Sequence, residues 1–333
     1  MDSQLSRGTH RDPLVPGDIG YTVLAPDGTT TGLPLVVLLH GADSSAETLV
    51  RFRPLIEGLW ADGTLPPAVV ACASTPTVGG FYLDRDGARW ESYVARAFPA
   101  LIEREYGTDP ARVALLGSSM GGYGALKIAF AEPDRWAAVA AVAPALLPAA
   151  TPDALRPRNT LGVLADLGRE MAGDGTGPDR YAANSVLHRL RAHADAVRDS
   201  GLPIFLRCGD SDVFAMHDGT EQLHRALWDL DIGHEYQLVL GADHLGPEAV
   251  AGPRAAFGFV GAALRGDDRP AADRELAASW ADWDASGRQG APPAFDATGP
   301  TGPLALRLLL ADDLAERERR DPTAARRYGR IDT

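Results

Sequence analysis

The stretch Arg112 to Ala129, RVALLGSSMGGYGALKIA, limits what this chain can fold into more than any other. A short apolar run from Val113 to Leu116 meets Gly117 and reads as a buried strand, and the Ala, Leu and Ile that follow Gly124 read as a helix. Between them lies Gly117-Ser118-Ser119-Met120-Gly121, a Gly-x-Ser-x-Gly pattern. A strand that turns at once into a helix strains its corner residue, and glycines on either side let neighbouring backbone pass without a Cβ clash. Ser119 then stands at the top of a sheet, at the amino end of a helix whose dipole favours developing negative charge. The rival reading is a phosphate loop, but the Gly-x-Gly-x-x-Gly spacing is absent and no Lys-Ser/Thr pair follows.

Strand and helix patterns alternate around this corner. Strands are expected at Leu35–Leu39, Ala68–Ala73, Ala137–Ala143, Pro203–Cys208 and Glu235–Leu240. Helices are expected at Ala46–Trp60, at Trp90–Tyr106 with a break at Pro99, through Leu223, Leu227 and Leu230, and at Ala249–Ala263. That alternation predicts an α/β fold with a mostly parallel central sheet covered by helices on both faces. Residues 1–18 read as a loose polar arm, 19–263 as the catalytic domain with Ile19–Ala25 as its edge strand, and 146–200 as an inserted loop or cap. Residues 264–303 read as a linker. Residues 304–333 read as a helical tail that packs on its own domain or on a second copy, a homo-oligomer.

A formal net charge of −13 argues against nucleic acid or an anionic membrane surface as partner, since both need a basic face. The first 18 residues lack the apolar core of a leader and no later run approaches the ~20 apolar residues of a span, so the expected location is cytoplasmic. Cys72 and Cys208 each lie in an apolar strand-like run and are expected as buried, reduced thiols. No histidine spacing suggests a metal site.

A serine hydroxyl needs a base to take its proton, and the base needs an acid to hold its tautomer. His244 lies just past an apolar strand, in Gly241-Ala242-Asp243-His244, and is the candidate base; His217 is its main competitor, and His40 at a strand end reads as loop-shaping. For the acid, Asp210 and Asp212 both follow the Pro203–Cys208 strand. Gly209 lets the chain turn out of the sheet, which assigns Asp210 to capping that turn and leaves Asp212 to meet the imidazole. An oxyanion needs backbone N–H groups; Met120, directly after Ser119, offers one and Ala42 in the His40-Gly41-Ala42 loop offers the other. Around the site, Phe81, Tyr82, Arg89 and Trp90, with Arg85 and Tyr93, either line a substrate pocket or pack beside a helix.

These pieces resemble the α/β-hydrolase superfamily, specifically its Putative esterase family, which includes esterase D and the antigen 85 mycolyltransferases. The matching segments are LLHGAD at 38–43, GSSMGGYGALKIAF at 117–130, CGDSD at 208–212 and GADHLG at 241–246, within a span of about residues 19 to 263. The resemblance implies a Ser119–His244–Asp212 triad, with the Ala42 and Met120 amides as oxyanion hole. It implies a carboxylic ester hydrolase that acts on a small acyl ester through an acyl-enzyme, with no cofactor. An acyltransferase using the same intermediate, or a non-catalytic binding protein on the same fold, are the alternatives. One departure is that Ala242-Asp243 stands where the family commonly carries a second glycine before the histidine.

Overall fold

The computed structural model describes residues 3–173, 178–265, 269–294 and 308–309. The chain divides into two compact units, Met1–Asp267 and Asp268–Thr333. In the first, eight strands form one sheet: β1 (Ser3–His10), β2 (Ile19–Pro26), β3 (Leu35–Leu39), β4 (Val69–Ala73), β7 (Val113–Ser118), β8 (Ala138–Val142), β9 (Ile204–Gly209) and β10 (Glu235–Val239). A separate two-stranded ribbon pairs β5 (Asp84–Arg85) with β6 (Ala88–Arg89). The sheet order is β1-β2-β4-β3-β7-β8-β9-β10, antiparallel at β1–β2 and β2–β4 and parallel from β4 to β10.

Every residue of β3, β4 and β8 is buried, so both faces of the sheet are covered, as continuous apolar strands require. Helix α1 (Thr48–Ala61) packs on α10 (Glu248–Arg265), with Phe52 meeting Phe257 edge-on, and α4 (Met120–Ala131) packs along β3, β7 and β8. The register aligns Leu39 with Gly117, Ser118 with Val142, Val142 with Arg207 and Gly209 with Val239. Parallel strands in that register bring the loops after β3, β7, β8, β9 and β10 to one edge, where ligands of open α/β sheets bind.

Three expectations need correction. Residues 3–10 are not a loose arm but β1, which pairs with β2 over its whole length and takes the edge position expected of Ile19–Ala25. A polar edge strand gives no apolar alternation to read; at Gly8 a Cβ would collide with the Tyr21 ring. The 90–106 segment stays helical through α2 (Trp90–Ser92), a π-helical turn at Tyr93–Ala97 and α3 (Phe98–Tyr106). The irregularity precedes Pro99, in the turn where its missing N–H and bulky ring would disrupt an α-helix. The expected linker contains helix α11 (Arg269–Ala285) of the second unit, where Trp280 meets Trp283 edge-on. Apart from residues 308 and 309, the expected tail lies outside the described residues. Among the described residues no helix is long and apolar enough to cross a membrane.

The 146–200 insertion carries α5 (Val163–Ala172), α6 (Pro178–Asn184), α7 (Val186–Ala192) and α8 (Ala194–Ser200). It is fastened to α4 by charge. Lys127, fully buried, pairs with Glu91 at 2.8 Å and donates to Asn184 Oδ1 at 3.0 Å, while Tyr123 donates its hydroxyl to the Asn184 carbonyl at 2.7 Å. Arg189 pairs with the same Glu91 and donates to the Lys127 carbonyl. Burial pushes the Lys127 pKa down, and Glu91 opposes that. Removing one partner leaves a buried charge unmatched, so Glu91→Ala should cost about 3–5 kcal/mol. A Glu91→Gln/Lys127→Met double variant should lose less, as read from denaturant midpoints.

Candidate active site

Ser119 is the corner between β7 and α4, with φ 57° and ψ −122°. A β-carbon residue held at positive φ is strained, and the surrounding bonds enforce it: Ser119 N–H donates to the Val142 carbonyl at 2.9 Å, and its own carbonyl accepts from Tyr123 and Ala145. The flanking glycines have the role read from the pattern. A Cβ at Gly121 would collide with the Leu39 carbonyl, and one at Gly117 with the Gly121 backbone.

The loop after β3 lies against this corner, since a Cβ at Gly41 would stand 3.6 Å from Ser119 Cβ. Met120 N–H opens α4 with no carbonyl a turn behind it, and among the described residues no acceptor takes the Ala42 N–H. His40 shapes this loop. Its Nε2 accepts from Thr75 N–H at 2.9 Å, which fixes the Nδ1–H tautomer toward the Gly41 carbonyl, and its own carbonyl accepts from the Tyr82 hydroxyl at 3.0 Å. Burial pushes the His40 pKa below its usual 6.5. A folded value below the unfolded one means stability is complete above pH 6.5 and is lost as pH falls toward the folded value. The melting temperature should therefore fall more steeply below pH 6.5 in the native chain than in His40→Asn.

The loops after β9 and β10 are laced together. His244 Nδ1 lies 2.7 Å from Asp212 Oδ2, and Asp212, with its side chain fully buried, accepts from Phe214 N–H at 2.9 Å and Met216 N–H at 3.4 Å through Oδ1. Asp210 Oδ1 accepts from Gly241 N–H at 2.7 Å and from the Ser211 hydroxyl at 3.0 Å, so it ties the neighbouring loop to its own turn. Asp243 Oδ1 accepts from Val213 N–H at 2.8 Å and His244 N–H at 2.6 Å, and these bonds hold its carboxyl below the usual range. Ser211 N–H donates to the Ala242 carbonyl at 3.0 Å. Among the described residues no hydrogen bond joins Ser119 to His244. His217, the competing base, lies in the first turn of α9 (Met216–Asp229), with Nε2 3.7 Å from Asp218.

Phe81, Tyr82 and Trp90 are core residues, not pocket walls. Phe81 and Tyr82 are both held at positive φ and fully enclosed, Tyr82 beneath Gly124 of α4, and Trp90 meets Tyr93 edge-on. Arg89 is exposed and donates to Ser92. Sequence reading missed Phe214, whose ring stands edge-on to the His244 imidazole with centroids 5.1 Å apart, and Asp243. A lone aromatic in a loop has no periodicity to mark it. Cys72 and Cys208 are buried free thiols, and no metal-binding cluster occurs among the described residues.

The family model described as Putative esterase matches residues 14–227. The S-formylglutathione hydrolase of Mus musculus is 32% identical over 146 residues, 41% of this chain and 45% of that protein. Matches to the curated S-formylglutathione hydrolases span 26% to 55% of their lengths. Among solved structures, a ferulic acid esterase superposes with TM-score 0.64 at 20% identity, covering 79% of this chain and 98% of that one. An S-formylglutathione hydrolase from Agrobacterium tumefaciens superposes with TM-score 0.58 at 20% identity, covering 79% and 92%. The fold is the α/β-hydrolase fold.

Proposed function

The chain belongs to the Putative esterase family, and on that premise we propose that it is a serine-dependent carboxylic ester hydrolase working through an acyl-enzyme. The observation that carries this reading is the 2.7 Å His244–Asp212 pair, set on the sheet edge that also presents Ser119 at its strained corner. Asp212 orients the imidazole and stabilises its charged form; His244 Nε2 takes the Ser119 proton as Oγ attacks the ester carbonyl. The oxyanion receives the N–H groups of Ala42 and Met120. His244 then passes the proton to the departing alcohol, and water, activated by the same imidazole, releases the acid. The Ser119–His244 hydrogen bond forms in the substrate complex, where catalytic hydrogen bonds commonly tighten.

A series of esters of rising acyl length, with S-formylglutathione included because relatives carry that name, tests the activity. A labelled acyl group should pass to water. Passage chiefly to an added alcohol would make the protein an acyltransferase, and no turnover across the series would refute the reading.

Asp243 sets the pose of His244 by tying Val213 N–H to the histidine loop. Asp243→Ala should lower kcat between about tenfold and a hundredfold with KM little changed, the cost of a small misplacement. Asp243→Asn keeps an oxygen acceptor and should recover most of the loss.

A further inference from the structure

The imidazole that protonates the departing oxygen must face it, so whatever surrounds His244 selects the leaving group. Resting on the ester hydrolase reading, we infer that the leaving group is uncharged and apolar, held against Phe214, and that anionic leaving groups are excluded.

Phe214 is built into this position from three sides. Its N–H donates to Asp212, its ring stands edge-on to His244, and the insertion presses on it at Gly162, where a Cβ would lie 3.0 Å from Phe214 Cε1. It joins the insertion to the imidazole and remains partly open. The residues next in the chain expose aliphatic side chains: Val213 is 54% exposed, Leu245 beside His244 63%, and Leu161 beside Gly162 50%. Exposed aliphatic side chains next in the chain to Phe214, His244 and Gly162 add apolar area to the loops that meet at Phe214 and this imidazole.

Charge points the same way. The loops at this edge, residues 40–47, 74–80, 143–162, 209–217 and 240–247, carry Asp43, Glu47, Asp153, Asp210, Asp212 and Asp243 against Arg156 and Arg158, with no lysine. Arg158 is paired with Asp218 at 2.6 Å and Glu47 with Arg7 at 2.7 Å, and Asp212 is buried against His244, which leaves Asp43, Asp153, Asp210 and Asp243 against Arg156. The exposed Asp43 directly follows the Ala42 amide. An anionic leaving group approaching His244 meets a field of its own sign.

The test is a pair of acetyl esters, methyl 4-acetoxybenzoate and 4-acetoxybenzoate, that differ by one carboxylate and deliver the same acetyl group. Deacylation is then common to both, and kcat/KM, divided by each ester's rate with hydroxide alone, reports the leaving-group side. The neutral ester should be favoured by about tenfold or more at low ionic strength, with the gap narrowing as salt is added. Phe214→Ala should lower kcat/KM for the neutral ester more than for the anionic one; Phe214→Leu, which keeps apolar volume, gives the same reading at smaller size if the alanine variant does not fold. Equal or inverted preference in the native chain overturns the inference, as does a Phe214 effect equal for both esters. Turnover of neither ester, with Ser119 unlabelled by a fluorophosphonate, would instead defeat the hydrolase reading itself.

Discussion

Ser119→Ala is expected to lower kcat by on the order of 10⁶, the loss found when the nucleophile of a serine triad is removed. The fold should barely notice. Among the described residues the Ser119 hydroxyl makes no hydrogen bond; what holds the corner is its backbone, bonded to Val142, Tyr123 and Ala145. Alanine at φ 57° carries the same β-carbon strain as serine, so the melting temperature should stay close to that of the native chain. Ser118→Ala is the control: Ser118 is the last residue of β7, paired in register with Val142. Its loss should be mild, and a dead Ser118→Ala beside an active Ser119→Ala would reassign the nucleophile.

Asp212→Asn is expected to lower kcat by on the order of 10⁴ through the wrong histidine tautomer. The surroundings dictate which way the new amide points. Phe214 and Met216 both present N–H groups to Oδ1, so the asparagine oxygen must stay there and its NH₂ must turn to His244 Nδ1. Nδ1 then accepts, the ring proton moves to Nε2, and Nε2 has no lone pair for the Ser119 proton. Asp210→Asn lacks this consequence, because its carboxylate binds the Gly241 N–H. It should act through stability, with kcat nearly retained in the folded fraction. A folded Asp212→Asn enzyme with near-native kcat would move the acid elsewhere.

The parts of this protein that were legible in the sequence are those with a repeating physical cause. Val36, Val37, Leu115 and Leu116 sit in strands buried on both faces, so their continuous apolar runs announced the parallel sheet. Gly117, Ser119 and Gly121 announced the corner because backbone crowding leaves few residue types able to stand there. Asp212 was legible as a residue just past the buried strand β9, and His244 as one just past the half-exposed edge strand β10. What stayed hidden depends on partners distant in sequence. β1 is held by backbone bonds to β2, Asp243 by an N–H thirty residues away, and Phe214 by Gly162 of the insertion. Phe81 and Tyr82 were left between pocket and packing for a related reason: aromatic residues in a glycine-rich loop fit either, and here both lie in the core, Tyr82 beneath α4.

The chemistry turns on one reactive hydroxyl. A fluorophosphonate probe followed by trypsin should mark the peptide 113–127, VALLGSSMGGYGALK, with fragmentation placing the adduct on Ser119 and a small acyl ester slowing the labelling by competition. Ser119→Ala should abolish the label and Ser118→Ala should keep it. A label on Ser118 or on another peptide, or none on the folded native chain, would contradict the assignment of Ser119 as the nucleophile.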